Sequence, residues 1–197
     1  MNKRFGLILI VVGMLFIAAA MTLYLHNVRE DREAGERAQQ VVEQMKPTPA
    51  PIAVTEPSPT PRGPKTTMPA VEIDGNAYIG YVGIPALEIE LPVMADWSYE
   101  KLRTAPCRHA GATYSEDLVI AAHNYDKHFG GLKDLQPDDS VTFTDMDGDV
   151  YTYRVALVET VAPTAVEQVL ESDYALVLYT CTYGGKTRVA VFCEILK

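Results

Sequence analysis

The feature that most limits how this chain can fold is an uncharged apolar block near its N-terminus, FGLILIVVGMLFIAAAMTLYL, from Phe5 to Leu25. These 21 residues are enough for a helix to cross the ~30 Å hydrocarbon core of a bilayer. A cleaved signal peptide is the alternative, because two basic residues precede the block and Ala18–Ala20 resembles a cleavage site. The apolar part of a signal peptide is usually only ~7–15 residues long, so residues 1–25 are predicted to form an uncleaved signal anchor.

The segment after the block predicts a stalk and then a linker. A short basic N-terminus is easier to leave in the cytoplasm than a whole domain, so we expect a single-pass protein with its N-terminus inside. Residues 26–46 are rich in helix formers and opposite charges. Eight prolines follow between Pro47 and Pro69, in a stretch too poor in bulky apolar residues to build a core. We therefore assign residues 26–70 to a polar stalk and Pro-rich linker, and residues 71–197 to the folded domain.

The charge of the folded domain excludes one class of partner. Residues 71–197 carry 9 Lys and Arg against 20 Asp and Glu, a formal net charge of −11. Nucleic-acid binding needs a clustered basic surface, so no nucleic acid is expected. No metal or cofactor is expected either, since no Cys-x-x-Cys spacing is present. The run from Asp145 to Asp149 opens like an EF-hand, but Ala156 stands at its twelfth position, which favours a hairpin turn.

Short apolar and alternating segments separated by turn residues predict an all-β domain with short helices. The segments assigned as strands are 78–84, 87–91, 118–122, 141–143, 150–161, 175–180 and 188–196. Many short strands with few long helices are typical of a closed antiparallel β-barrel. The continuous apolar runs at 118–122 and 175–180 indicate fully buried strands.

Three residues at strand ends could carry chemistry. Cys181 ends a strand, and the turn-forming stretch 182–187 would return Arg188 beside it. His123 directly follows a buried strand, and imidazole can take either protonation state near neutral pH. A guanidinium beside a thiol could hold an oxyanion. The alternatives are a buried core thiol, a structural histidine and a surface arginine. The other histidines have simpler assignments: His26 at the membrane exit, His109 in a loop, and His128 in a flexible loop.

Several motifs resemble one family. Leu178-Tyr179-Thr180-Cys181 is similar to the Thr-Leu-x-Thr-Cys signature of sortases, with Arg188 at the family's short downstream spacing. Ala122-His123-Asn124 resembles the family's histidine motif, and 78–85 and 87–93 resemble its first two strands. The resemblance implies a sortase-type barrel of about eight strands after one transmembrane helix. Val177 replaces the first Thr of the signature, and the resemblance is to a class B-like or class D-like sortase.

The resemblance also implies an activity, a cysteine transpeptidase with Cys181 as nucleophile, His123 as acid/base and Arg188 as the oxyanion-side cation. The substrates would be surface proteins with a C-terminal LPxTG-like sorting signal, cut between Thr and Gly. The acceptor would be an amino group of a cell-wall precursor or a pilin, in a Gram-positive envelope. The residues that would line the substrate groove are Thr180, Asn124 and Tyr183. Whether Cys107 and Cys193 form a disulfide is left open at this point.

Two other readings remain at this stage. Another envelope thiol enzyme, an L,D-transpeptidase or a papain-like peptidase, would need a His-Gly-Cys run or a helix-borne cysteine before its histidine, and neither pattern occurs. A non-catalytic surface β-barrel that only binds a partner would keep its function after Cys181→Ala.

Overall fold

The computed structural model describes residues 3–46 and 66–196. The chain divides into two compact units, with the boundary between Glu33 and Ala34. Helix α1 spans Lys3–Met45, and its apolar stretch is long and apolar enough to cross a membrane, with the side chains of that stretch exposed. Most of the predicted Pro-rich linker falls on residues 47–65, outside the described residues.

In the second unit, the described residues form nine strands and one further α-helix. The strands are β1 Val71–Ile73, β2 Asn76–Ile84, β3 Ile89–Met94, β4 Cys107–Ala110, β5 Leu118–Ala122, β6 Ser140–Asp145, β7 Val150–Val161, β8 Leu176–Cys181 and β9 Arg188–Ile195, and helix α2 is Val166–Leu170. The strands predicted from the apolar pattern all appear, most with boundaries shifted by one to three residues.

A pairing between β2 and β6 closes the sheet into a barrel. The order around the barrel is β2-β3-β4-β5-β8-β9-β7-β6, and β1 is added to β2 as a ninth, outer strand. The prediction of a closed eight-stranded barrel is confirmed. The pairings are antiparallel except for β3–β4 and β5–β8, which are parallel. In both cases a long connection separates the two strands and brings the chain back to its starting end, as parallel pairing requires.

Strands β5, β8 and β9 are buried on both faces. Ile120, Leu178 and Val191 point into the barrel interior. Alternate residues along the same strands belong to a second apolar cluster, outside the barrel, which includes Ala121 and Tyr179. Helix α2 and the β3–β4 connection cover this outer cluster, contributing Val169, Trp97 and Leu102. Burial on both faces explains why these strands are continuous apolar runs in the sequence.

The C-terminal part of α1 packs on the barrel within the second unit. Ala34, Ala38, Val42 and Met45 are buried at helical spacing. The Lys46 ammonium forms an ion pair with Glu90 of β3. Residues 26–46 were expected to act as a stalk, and the structure adds that residues 34–45 present an apolar stripe to the barrel.

Candidate active site

Cys181 and Arg188 face each other at the mouth of the β8–β9 hairpin. They are Cα partners in the antiparallel ladder, so their side chains project from the same face of the sheet. The connecting loop is closed by the Thr182 amide, which donates to the Thr187 carbonyl at 3.0 Å. Gly184 and Gly185 have φ of 77° and 70°, a left-handed conformation that glycine adopts without strain.

His123 is brought level with Cys181 by the parallel pairing of β5 and β8. Ala122 is the Cα partner of Thr180, so the next residue on each strand, His123 and Cys181, continues the same register. The Thr180 hydroxyl donates to the Ala122 carbonyl at 2.8 Å and ties the two strand ends together.

We call the three predicted catalytic residues a row, because Cys181 and Arg188 are paired across β8 and β9, and His123 is the residue after the last paired position of β5. Because side chains alternate along a strand, the row lies on the face that carries Ala121, Tyr179 and Ala190, which is the outer face of the barrel. His123, Cys181 and Arg188 are all partly exposed. A peptide arriving from solvent can reach each of them without entering the barrel.

The environment of His123 is aromatic. Its ring stacks on the Tyr125 ring, with centroids 4.6 Å apart and planes at 17°. The centroid of the His128 ring lies 5.5 Å from that of Tyr125, in an edge arrangement. His128 lies in a loop of turns, as expected, and the structure adds that its side chain is fully buried, next to the core residue Phe129.

The Arg188 guanidinium is held by the hairpin loop. Its Nη1 donates to the carbonyls of Gly185 and Thr187 at 3.1 and 3.0 Å. A guanidinium has five N–H donors. Among the described residues only Nη1 has a hydrogen-bond partner, so the donors on Nη2 and Nε can bind a ligand. Arg188 can thus keep its position while it binds an anionic oxygen above Cys181.

The residues predicted to line the groove occupy three different environments. Thr180 is only 3% exposed and its hydroxyl is used by Ala122, so a peptide contact through this group would require that bond to break. Asn124 is partly buried beside His123. Tyr183 is 92% exposed on the hairpin loop, where it could close over a bound chain.

One group on this face was not singled out from the sequence. The Tyr179 hydroxyl lies 2.5 Å from Nδ1 of His109, and the Trp97 ring stacks on His109 with centroids 5.1 Å apart. His109 was assigned to a loop, but it belongs to β4. Burial lowers the pKa of His109 and raises that of Tyr179. The sequence contained one signal for Tyr179: it lies two residues before Cys181 on the same strand, and residues with this spacing share one face of a sheet.

The other two cysteines are far less accessible. Cys107 and Cys193 are free thiols with 0% exposure. Burial raises the pKa of Cys107 to about 11 and that of Cys193 to about 12. They are assigned to different apolar clusters and form no disulfide in this structure. Of the three cysteines, Cys181 alone is partly exposed, and it is the Cα partner of Arg188.

The sequence matches the family model for the sortase domain over residues 82–196. This chain belongs to the sortase family. Comparison with curated proteins gives no match. Membership of this family makes the protein a cysteine transpeptidase. It excludes the alternative hypotheses of an L,D-transpeptidase, a papain-like peptidase and a non-catalytic binding module. Sortases act on surface proteins and pilins.

Solved sortase structures share the fold of this sortase. Sortase C1 from Streptococcus suis is 26% identical to this chain. The match covers 61% of this chain and 73% of the S. suis chain, with a TM-score of 0.53. Sortase C from Streptococcus pneumoniae is 26% identical, and the match covers 86% of this chain and 89% of the S. pneumoniae chain, with a TM-score of 0.55. Sortase D5 from Clostridium perfringens is 18% identical, and the match covers 61% of this chain and 79% of the C. perfringens chain, with a TM-score of 0.53. At this identity the match supports the fold alone. The class B-like or class D-like assignment stays a prediction.

Proposed function

We propose that this sortase uses Cys181 as nucleophile, His123 as general acid and base, and Arg188 as the cation that stabilises the oxyanion. The observation that supports the proposal is the pairing of Cys181 with Arg188 and of Thr180 with Ala122, the residue before His123. All three side chains are partly exposed. The substrate we propose is a surface protein with a C-terminal LPxTG-like sorting signal.

In the first half of the reaction, the Cys181 thiolate attacks the carbonyl carbon between Thr and Gly of the signal. The free donors of Arg188 bind the oxygen as it gains negative charge. When the tetrahedral intermediate collapses, the C–N bond breaks and protonated His123 donates its proton to the departing amine. The products are a thioester on Cys181, a free glycine amine and a neutral His123.

In the second half, neutral His123 accepts a proton from an incoming amino group as that group attacks the thioester. A second tetrahedral intermediate forms, again beside Arg188, and collapses with loss of the Cys181 thiolate. The result is a new amide bond and the starting form of the enzyme. We propose that the amine comes from a cell-wall precursor or from a pilin.

We further propose a single-pass topology with the N-terminus inside and the catalytic domain outside, facing the cell wall. Support comes from the apolar stretch of α1, which is long enough to span a bilayer, and from the short basic N-terminus before it. An enzyme that acts on surface proteins and pilins needs its active site on that side.

The test uses the full chain in detergent micelles with an LPxTG-like peptide and no amine acceptor. Mass spectrometry should find the acyl fragment attached to Cys181. Cys181→Ala should give no adduct, whereas Cys107→Ala, which alters a buried thiol, should keep it. Absence of both adduct and cleavage with every sorting-signal peptide tried would rule the proposal out.

A further inference from the structure

The last turns of α1 lie against the segment that follows His123. A β-carbon added at Gly35 would lie 2.8 Å from Cβ of Lys127 and 2.9 Å from its Cγ, well inside van der Waals contact. A Cβ is fixed by its own backbone, so any side chain at position 35 must push the helix and the segment apart. Glycine is unfavourable inside a helix relative to alanine. The close approach to Lys127 explains its presence there.

A second contact is made three residues further along α1. Ala38 is 1% exposed and belongs to the same apolar cluster as Phe129 and Leu132. Residues three apart share one face of a helix. Gly35 and Ala38 therefore lie on one face of α1, with Gly35 close to Lys127 and Ala38 in the apolar cluster that includes Phe129 and Leu132.

The segment itself is internally braced, so that a displacement at Lys127 reaches His123. The amide of Phe129 donates to the His123 carbonyl at 3.2 Å, and the amides of His128 and Gly130 both donate to the Tyr125 carbonyl at 2.9 Å. Gly130 also packs so tightly that a Cβ there would lie 2.8 Å from the Tyr125 oxygen.

Tyr125 is the last link to the catalytic ring. Its ring stacks on the His123 ring and also makes an edge contact with the ring of the buried His128. Among the described residues, no side-chain hydrogen bond or ion pair holds the imidazole of His123. The orientation of the His123 ring therefore depends on the position of Tyr125, which is set by the backbone of the segment that follows His123.

From these contacts we infer that Gly35, Ala38 and Tyr125 are positioning residues for His123. The C-terminal turns of α1 set the place of the segment, and the Tyr125 ring sets the orientation of the imidazole. The catalytic part of this inference rests on the proposed role of His123. The structural part can be tested without any substrate.

The test follows the His123 ring by NMR in the full chain in detergent micelles. The chain has four histidines, and a His→Gln variant of each assigns its ring-proton signal. The Tyr125 ring current shields His123, so Tyr125→Ala should move the His123 signal downfield and Tyr125→Phe should leave it nearly unchanged. Gly35→Leu should move the signal in the same direction as Tyr125→Ala.

Gly13→Leu is the matched control, because Gly13 is in the same helix and a Cβ there has nothing within 4 Å. It should leave the His123 signal in place. The His109 signal, held by Tyr179 on the barrel, reports whether each variant is folded. If Gly35→Leu does not fold, Gly35→Ala introduces the same Cβ clash with less bulk. A folded Gly35 variant with an unmoved His123 signal would overturn the inference.

Steady-state kinetics of peptide cleavage test the catalytic part of the inference. Gly35→Leu and Tyr125→Ala should lower kcat about tenfold or more with little change in KM, because acid-base catalysis depends on geometry. Tyr125→Phe should restore kcat. Equal losses in kcat for Tyr125→Phe and Tyr125→Ala would contradict ring positioning. A wild-type protein that cleaves no peptide, while its His123 signal follows the variants as described, would instead refute the proposed function and leave the structural part standing.

Discussion

Cys181 and Arg188 are direct partners across the antiparallel β8–β9 ladder, although a loop of six residues, 182–187, separates them in the chain. This pairing fixes the thiol and the guanidinium on one face. Since Nη1 of Arg188 is already bonded to the loop carbonyls, the remaining donors are oriented before any substrate binds, which is the condition for effective oxyanion stabilisation.

Arg188→Lys should lower kcat by about 10²-fold or more, because loss of one oriented oxyanion donor has an effect of that order. Lysine keeps the charge but not the planar set of donors. Arg154→Lys is the control, since Arg154 is an exposed arginine paired with Glu194 on β9. Steady-state peptide cleavage measures both, and an Arg188→Lys enzyme as fast as Arg154→Lys would speak against the oxyanion role.

Thiol labelling of the native protein should modify Cys181 alone. Cys107 and Cys193 are buried and their pKa values are raised to about 11 and about 12, so at pH 8 they are neither accessible nor ionised. Peptide mapping after brief treatment with iodoacetamide gives the distribution. Labelling of Cys107 or Cys193 at a rate comparable to Cys181 would contradict the structure.

Thr180→Val should reduce both stability and activity. The change removes the hydroxyl that donates to Ala122 and leaves a buried carbonyl without this donor, a loss of about 1–3 kcal/mol in the free energy of unfolding. It also frees the β5 end that carries His123. Urea denaturation and peptide cleavage give the two values, with Thr160→Val, at an exposed position of β7, as the control. Equal unfolding midpoints for the two variants would refute the prediction.

A chain that begins at Val71 should be less stable than one that begins at Ala34. The shorter chain lacks the buried side chains of Ala34, Ala38, Val42 and Met45, whose removal corresponds to about 3 kcal/mol or more at the usual value per buried apolar side chain. Chemical denaturation of the two chains measures the difference. Identical stability would mean that α1 contributes nothing to the catalytic domain.

The pair formed by His109 and Tyr179 predicts a pH dependence of stability. Burial lowers the pKa of His109 in the folded state, whereas an unfolded histidine has a pKa of about 6.5. At pH values between these two pKa values, the unfolded chain binds more protons than the folded chain. Stability contributed by neutral His109 is therefore present above pH 6.5 and is lost as pH falls through that window.

The measurement is the urea midpoint of the wild type and of His109→Gln between pH 5 and 8. The wild type should lose more stability than the variant as the pH falls below 6.5. Parallel curves for the two proteins would show that His109 contributes no such dependence.

Much of the barrel could be read from residue patterns because its strands are short and their burial repeats along the chain. The runs at 118–122 and 175–180 are apolar at every position, as strands buried on both faces must be. The acidic turn after β6 follows from local chemistry, since the Asp145 carboxylate accepts the amides of Asp147 and Asp149. The packing of residues 34–45 was not predicted because two of the four buried residues are alanines, which also suit a solvated helix.

The sequence by itself determined which groups are available: an apolar block able to span a membrane, a cysteine at a strand end, a histidine after a buried strand, and an arginine one turn beyond the cysteine. Only the tertiary structure decided how they meet. The β5–β8 pairing joins strands 58 residues apart, and such a register depends on packing across the whole barrel rather than on local propensity. The same holds for the contact of Gly35 with Lys127, because close backbone approach leaves no pattern in the residues that precede or follow it.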